Sequence, residues 1–98
     1  MKYEQGDIVS VEGLKGHFLV VSKNFFNETE QAIICPIIND TFLDPLHIAI
    51  EIKDIKGIVM CEQMRLVDLR HRGFKVIEHL NYTDIINITD AIQSIFDY

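Results

Sequence analysis

Residues 61–73, CEQMRLVDLRHRG, hold every arginine of the chain: Arg65, Arg70 and Arg72. Glu62, Gln63 and Asp68 stand among them. A guanidinium offers five donors in a rigid fork that matches a phosphate. Glutamine adds a donor and an acceptor for a base edge, and a carboxylate can take a proton from a hydroxyl. Together these types suit binding and cleaving one phosphodiester. The same residues also make a structural ion pair, Arg65 with Asp68 or Glu62, beside an exposed charged turn, LRHRG. In an extended strand Gln63 and Arg65 share one face, and Glu62, Met64 and Leu66 the other. Asp68 leaves the Arg65 face unless a turn or bulge re-aims it.

The remaining titratable groups are scattered. His17 follows Gly16 at the start of an apolar run; it is either an acid or base near neutrality or a strand-end residue with one hydrogen bond. His47, before IAIEI, has the same two readings, while His71 and His79 lack a local partner. No His or Cys pair has metal-ligand spacing, so neither a metal nor another cofactor is expected. Cys35 and Cys61 lie in separate apolar runs without a CxxC, as two reduced, buried thiols of a cytoplasmic protein would. The N-terminus, MKYEQGDIV, shows no signal-peptide core. No apolar run reaches the ~18 residues of a membrane span.

Positioning these groups falls to a chain of 98 residues with net charge −6. That charge disfavours broad tracking of nucleic-acid phosphates but leaves room for one local basic site. Apolar residues make up 48% and charged residues 24%, the balance of a globular chain. The length suits one domain over residues 1–98, with about 65% of the unfolded surface buried. DIVSVE (7–12) alternates; HFLVVS (17–22) follows the Gly-bracketed turn GLKG. QAIICPII (31–38) is a continuous β-branched run, as in a strand buried on both faces. HIAIEI (47–52), GIVMC (57–61) and RLVDL (65–69) complete the strand candidates. Pro36 cannot donate to a ladder, so its strand is an edge there or bulged. From Thr83 the period becomes helical, with Ile85, Ile88, Ile92 and Ile95 on one stripe. Asn81 or Thr83 can cap this helix, with Asp84 in its first turn. Phe25 and Phe26, in the polar stretch SKNFFNE, are core plugs or an exposed patch. The pattern predicts an α+β, mostly β fold: a small barrel of five to seven strands closed by a C-terminal helix.

GDIV, an apolar run ending VVS, CPII, HIAIEI and above all GIVMCEQMRLVDLRHRG before a C-terminal helix resemble the MazF/PemK/Kid toxins of type II toxin–antitoxin systems. The resemblance covers about residues 5–97. Its most specific part is E-Q-x-R-x-x-D: Glu62, Gln63, Arg65 and Asp68. It implies an SH3-like barrel and a homodimer with an RNA groove across it. It also implies metal-independent endoribonuclease action on single-stranded RNA, and a cognate antitoxin that blocks the groove. This chain departs from the family pattern at two places. The Arg-Pro that usually opens the second strand reads His17-Phe18, and the usual catalytic threonine position reads Ile38, with Asn39 next and Thr41 two further on. His17 can replace the arginine as a proton carrier, but a neutral imidazole gives no bidentate phosphate grip.

The first functional expectation is therefore a toxin that cuts mRNA. Arg65 clamps the phosphate, Asp68 or Glu62 serves as base and His17 as acid. Gln63 and Asn39 read bases, and Arg70 and Arg72 hold flanking phosphates. The alternative is an inactive or CcdB-like barrel toxin that binds a protein target such as DNA gyrase through its chain end. A third is a bare SH3-like module that binds a peptide.

Overall fold

The computed structural model describes residues 2–40 and 44–96. Along these the chain forms β1 (Asp7–Val11), β2 (His17–Val20), α1 (Asn24–Asn27), β3 (Gln31–Ile38), β4 (His47–Ile52), β5 (Ile55–Met60), β6 (Arg65–Asp68), β7 (Phe74–His79) and α2 (Tyr82–Phe96). Thr41 and the last two residues of the helical stretch lie outside the described residues.

β3 is the axis of the molecule. Its unbroken apolar run has side chains for two cores, and both exist. Ala32 and Ile34 point into one core with Val9, Val11, Phe18, Val20, Val67 and Tyr3. Ile33, Cys35 and Ile37 point to the other, with Ile8, Leu19, Val59, Cys61 and Ile88. The order β4-β5-β3-β2-β1-β7, with β6 also on β3, forms one sheet in which every pairing is antiparallel. It curls into a half-barrel, and α2 lies over the second core. The expected barrel with its C-terminal helix is the fold observed.

α2 begins as the sequence implies. Asn81 caps it, its Oδ1 accepting the Asp84 N–H at 2.9 Å while its Nδ2 donates to Asp84 Oδ2 at 3.1 Å. This satisfies a backbone donor that the first turn leaves open. Ile88 is fully buried, whereas Ile95 is largely exposed. The stripe is therefore docked at its centre and open at its end.

Two elements go beyond the expected set. β7 pairs with β1 across a bulge between Ile8 and Val9, which interrupts the alternation that would have marked it. α1 is a single turn held by buried Asn27, whose Nδ2 donates to Ser22 O at 3.1 Å and whose own carbonyl accepts the Tyr3 hydroxyl at 3.1 Å. It leaves Phe25 73% exposed and Phe26 half-buried, so Phe25 belongs to the surface.

The β4–β5 turn is tighter than expected, closing at Lys53-Asp54 with Ile52 opposite Ile55 and Lys53 at φ 52°. Gly57 is required on β5: a Cβ there would meet Ile38 O at 2.7 Å. Among the described residues no helix is long and apolar enough to cross a membrane.

Candidate functional site

β5 and β6 run along the same edge of β3, one after the other. Val59 opposes Ile37, and Arg65 opposes Ile34. Six steps on one side meet three on the other, so Glu62, Gln63 and Met64 are extruded. Pro36 lies at this join. Val21 N–H donates to Ile33 O, so the odd-numbered nitrogens of β3 face β2 and that of Pro36 faces the gap. A missing donor costs no ladder bond there. Gln63 N–H donates to Met60 O at 3.0 Å and closes the extrusion. The simple strand alternation expected over Glu62–Leu66 is thus corrected: the strand starts only at Arg65, and Gln63 and Arg65 are both exposed.

Arg65 opens onto a groove of about 520 Å³ between α2 and the β3–β6 edge, lined also by Lys23, Ile33, Leu66, Ile92 and Phe96. Among the described residues no Asp or Glu lines it. Neither the Arg65 nor the Lys23 side chain has a hydrogen bond or ion pair among the described residues. In a chain of net charge −6, two cations without carboxylates beside them are a place where an anion is attracted.

Asp68 behaves otherwise. Its Oδ1 accepts the Arg70 backbone N–H at 2.9 Å and the Arg70 Nε–H at 3.1 Å, and its Oδ2 accepts Nη2–H at 2.7 Å. These bonds from Arg70 pull the Asp68 carboxyl down from 3.8 to about 2. Asp68 thus caps the Asp68–Arg70 turn, with both carboxylate oxygens engaged by Arg70. Arg70 is equally committed, whereas Arg72 and His71 are exposed beyond it.

Glu62 is also spoken for. His47 Nε2–H donates to its carboxylate, at 2.7 Å to Oε2 and 2.9 Å to Oε1, while His47 Nδ1 faces Asp44 Oδ2 at 3.1 Å. The Glu62 carboxylate, expected to act as a base or to contact RNA, is engaged by His47. The two sequence readings of His47 did not include Glu62, because that partner lies across the β4–β5 hairpin. The same holds for His79, whose Nδ1 meets buried Asp7 Oδ1 at 2.7 Å, 72 positions away in sequence.

His17 and Asn39 belong to the far end of β3. His17 opposes Ile37 and Asp68 opposes Gln31, six residues apart on β3 or about 20 Å at ~3.3 Å per residue. Arg65 is three residues from His17 on the same scale, about 10 Å. The expected acid, base and clamp therefore do not converge within one chain. Asn39 lines a second recess of about 770 Å³ with Asp40, Glu51, Asp54 and Lys56. Three carboxylates against one ammonium repel a phosphate, which works against RNA contact there. Cys35 and Cys61 are free and fully buried, and burial pushes their thiols up to about 12 and about 11. Among the described residues no three His, Cys, Asp or Glu side chains are arranged to hold a metal ion.

The family model described as PemK-like, MazF-like toxin of type II toxin–antitoxin system matches residues 4–96. The chain belongs to the PemK/MazF toxin family. Among solved structures, it resembles MazF in the Deinococcus radiodurans MazE–MazF complex, with TM-score 0.86 and 17% identity over 98% of this chain and 97% of that one. An endoribonuclease from a mycobacterial species, solved with its cognate antitoxin, gives TM-score 0.82 and 16% identity over 96% and 94%. An endoribonuclease from a mycobacterial species, solved without that partner, gives 0.84 and 16% over 98% and 92%. At these identities the structures establish a shared fold. No curated protein matches the sequence. In this PemK/MazF chain Glu62 and Asp68 are held by neighbours, and Gln63 and Arg65 are the motif residues left facing outward. Ile38, at the usual threonine position, is exposed at the end of β3.

Proposed function

We propose that this PemK/MazF toxin is a metal-independent endoribonuclease that acts on single-stranded RNA, with Arg65 holding the scissile phosphate. The observation that carries this reading is Arg65 itself. It is the arginine of the family motif, delivered by an extruded loop to a groove rim without Asp or Glu among the described lining residues, and no protein group among those described neutralises it. Attack by the 2′-hydroxyl on phosphorus spreads negative charge over the phosphate oxygens. A preorganised guanidinium stabilises that charge more than it stabilises the ground state. Gln63, beside it, supplies base-edge bonds, Arg72 attracts a flanking phosphate, and His17 is the proton carrier.

His17 lies about 10 Å along β3 from Arg65, so one chain supplies only part of the site. We propose that residues 1–98 act as one unit and pair as a homodimer. Leu66 and Phe96 are 57% and 68% exposed beside the groove. Pairing over these apolar side chains brings two Arg65 side chains to one seam, in an interface of roughly 1,600 Å². A cognate antitoxin is the proposed partner, as in the complexes of similar fold, and the cytoplasm the proposed place of action.

Incubation of the protein with a long RNA, with and without chelator, tests the activity. Cleavage with and without chelator, lost in Arg65→Ala, is expected; intact RNA overturns it. One observation favours a second reading. α2 ends with Ile95 and Phe96 exposed, which suits a toxin that grips a protein target with its chain end. In that case Phe96→Ala abolishes toxicity, and Arg65→Ala leaves it intact.

A further inference from the structure

The extruded loop that carries Glu62 and Gln63 and delivers Arg65 is tied down at a particular point. His47, only 15% exposed at its side chain, opens β4 opposite Met60, the last residue of β5. Its Nε2 spans both Glu62 oxygens, at 2.7 and 2.9 Å. Behind it, Asp44 Oδ2 faces Nδ1 at 3.1 Å, and Asp44 Oδ1 accepts the Leu46 N–H at 2.8 Å. The Leu46 carbonyl in turn accepts the Cys61 N–H at 2.9 Å. The loop is thus held at its first two residues, Cys61 by backbone and Glu62 by side chain, to the segment that precedes β4. From Glu62 to Met64 the backbone has no ladder partner on β3, and the ladder resumes at Arg65, opposite Ile34.

We propose that His47 is the positioning residue of the motif loop: by gripping Glu62 it sets where Gln63 and Arg65 project. Asp44 Oδ2 stands behind the ring, 3.1 Å from Nδ1. The assignment rests on the reading of Arg65 as the phosphate clamp, which it extends. It gives the family-motif glutamate a purpose in this chain that involves no contact with RNA. A loop of three residues outside the ladder has several backbone states open to it. One side-chain anchor at its start removes most of them, and catalytic geometry is sensitive to displacements of an ångström.

The test uses His47→Ala, His47→Gln and, as a control ion-pair loss elsewhere, Glu78→Gln, which breaks the Lys53–Glu78 pair. Cleavage and RNA binding are measured well below each melting temperature, with amide hydrogen exchange followed along the chain. His47→Ala is expected to cut RNA with a kcat lower by about 10²-fold and a smaller change in KM. Exchange should rise at Gln63 and Arg65 while β1 and β3 keep their protection. His47→Gln, which restores one donor toward Glu62, should recover most of both losses, and Glu78→Gln should match the parent. Unchanged exchange at residues 63–65 in His47→Ala overturns the proposal. So does a rise spread evenly over the sheet, which marks a purely structural histidine. If the parent protein cuts no RNA, a local rise at residues 63–65 still supports the anchoring while the ribonuclease reading falls.

Discussion

Two segments of the same arginine-rich stretch face different fates. In the Asp68–Arg72 turn, carboxylate and guanidinium meet two residues apart through two hydrogen bonds, and the Arg70 backbone N–H donates a third to the same carboxylate. In the Glu62–Arg65 loop, Glu62 is drawn off to His47, and Arg65 is left on a groove rim without a protein partner among the described residues. The residue types are nearly the same. The difference is that a short turn allows an Asx-type bond to close locally, whereas extrusion from a strand turns adjacent side chains toward different neighbours. An arginine already paired contributes little to a ligand unless the pair opens; an unpaired one carries its full charge to the anion.

That contrast can be broken or sharpened in four ways. The largest effect is expected from Ile88→Ala, at the fully buried centre of α2, in the core that Met64 of the loop also joins. It should cost about 2–5 kcal/mol of stability, read by denaturant unfolding. Both segments should fail together, since a shared scaffold cannot tell them apart. Next comes Arg65→Ala. It should lower single-turnover cleavage by about 10²-fold or more with an unchanged melting temperature. An equal loss in Arg70→Ala would erase the distinction between the two arginines.

A smaller change is expected from Asp68→Asn. The amide oxygen can still accept the Arg70 backbone N–H, but the guanidinium loses its counter-charge. Cleavage should persist, because the Asp68 carboxylate is already engaged by Arg70. RNA affinity should become more salt-dependent, by about 0.7 in log–log slope for one added phosphate contact. An unaltered slope would show that Arg70 does not reach RNA even when released. The smallest effect is on stability against pH. Arg70 depresses the Asp68 carboxyl from 3.8 to about 2. As pH falls, the unfolded chain takes up that proton first, so the contribution is complete above about pH 4 and is lost between about pH 4 and pH 2. Melting of the parent should show this acid limb and Asp68→Asn should lack it, the size being small for so exposed a pair.

Much of the scaffold was legible in residue order. The β3 run was read to the residue, because an unbroken apolar segment is needed wherever two cores share a strand. The Asn81 cap and the Ile stripe of α2 were legible for an equally local reason: hydrogen bonding to N3 and a 3.6-residue period act within one turn or two. β7 escaped because a bulge within it, at Ile77, breaks its period of two. The site was legible in part only. The order of types picked out Gln63 and Arg65, which the structure leaves exposed, but it gave no sign that His47 holds Glu62, that Arg70 holds Asp68, or that carboxylates surround Asn39. Type and spacing do not disclose a partner that lies across a hairpin.

By itself the sequence determined the family, the first six strands and the C-terminal helix, since periodicity and motif order survive in one dimension. It also determined that positive charge would gather between residues 65 and 72. Only the tertiary structure decided which of those charges remain available. The three-residue slip between β5 and β6 follows from how two strands share one edge of β3. The pairing of Glu62 with His47 follows from the β4–β5 hairpin that lays residue 47 against residue 60. The reason is physical: hydrogen bonds and ion pairs act over a few ångströms in space, and chain folding, not chain order, sets which groups come that close.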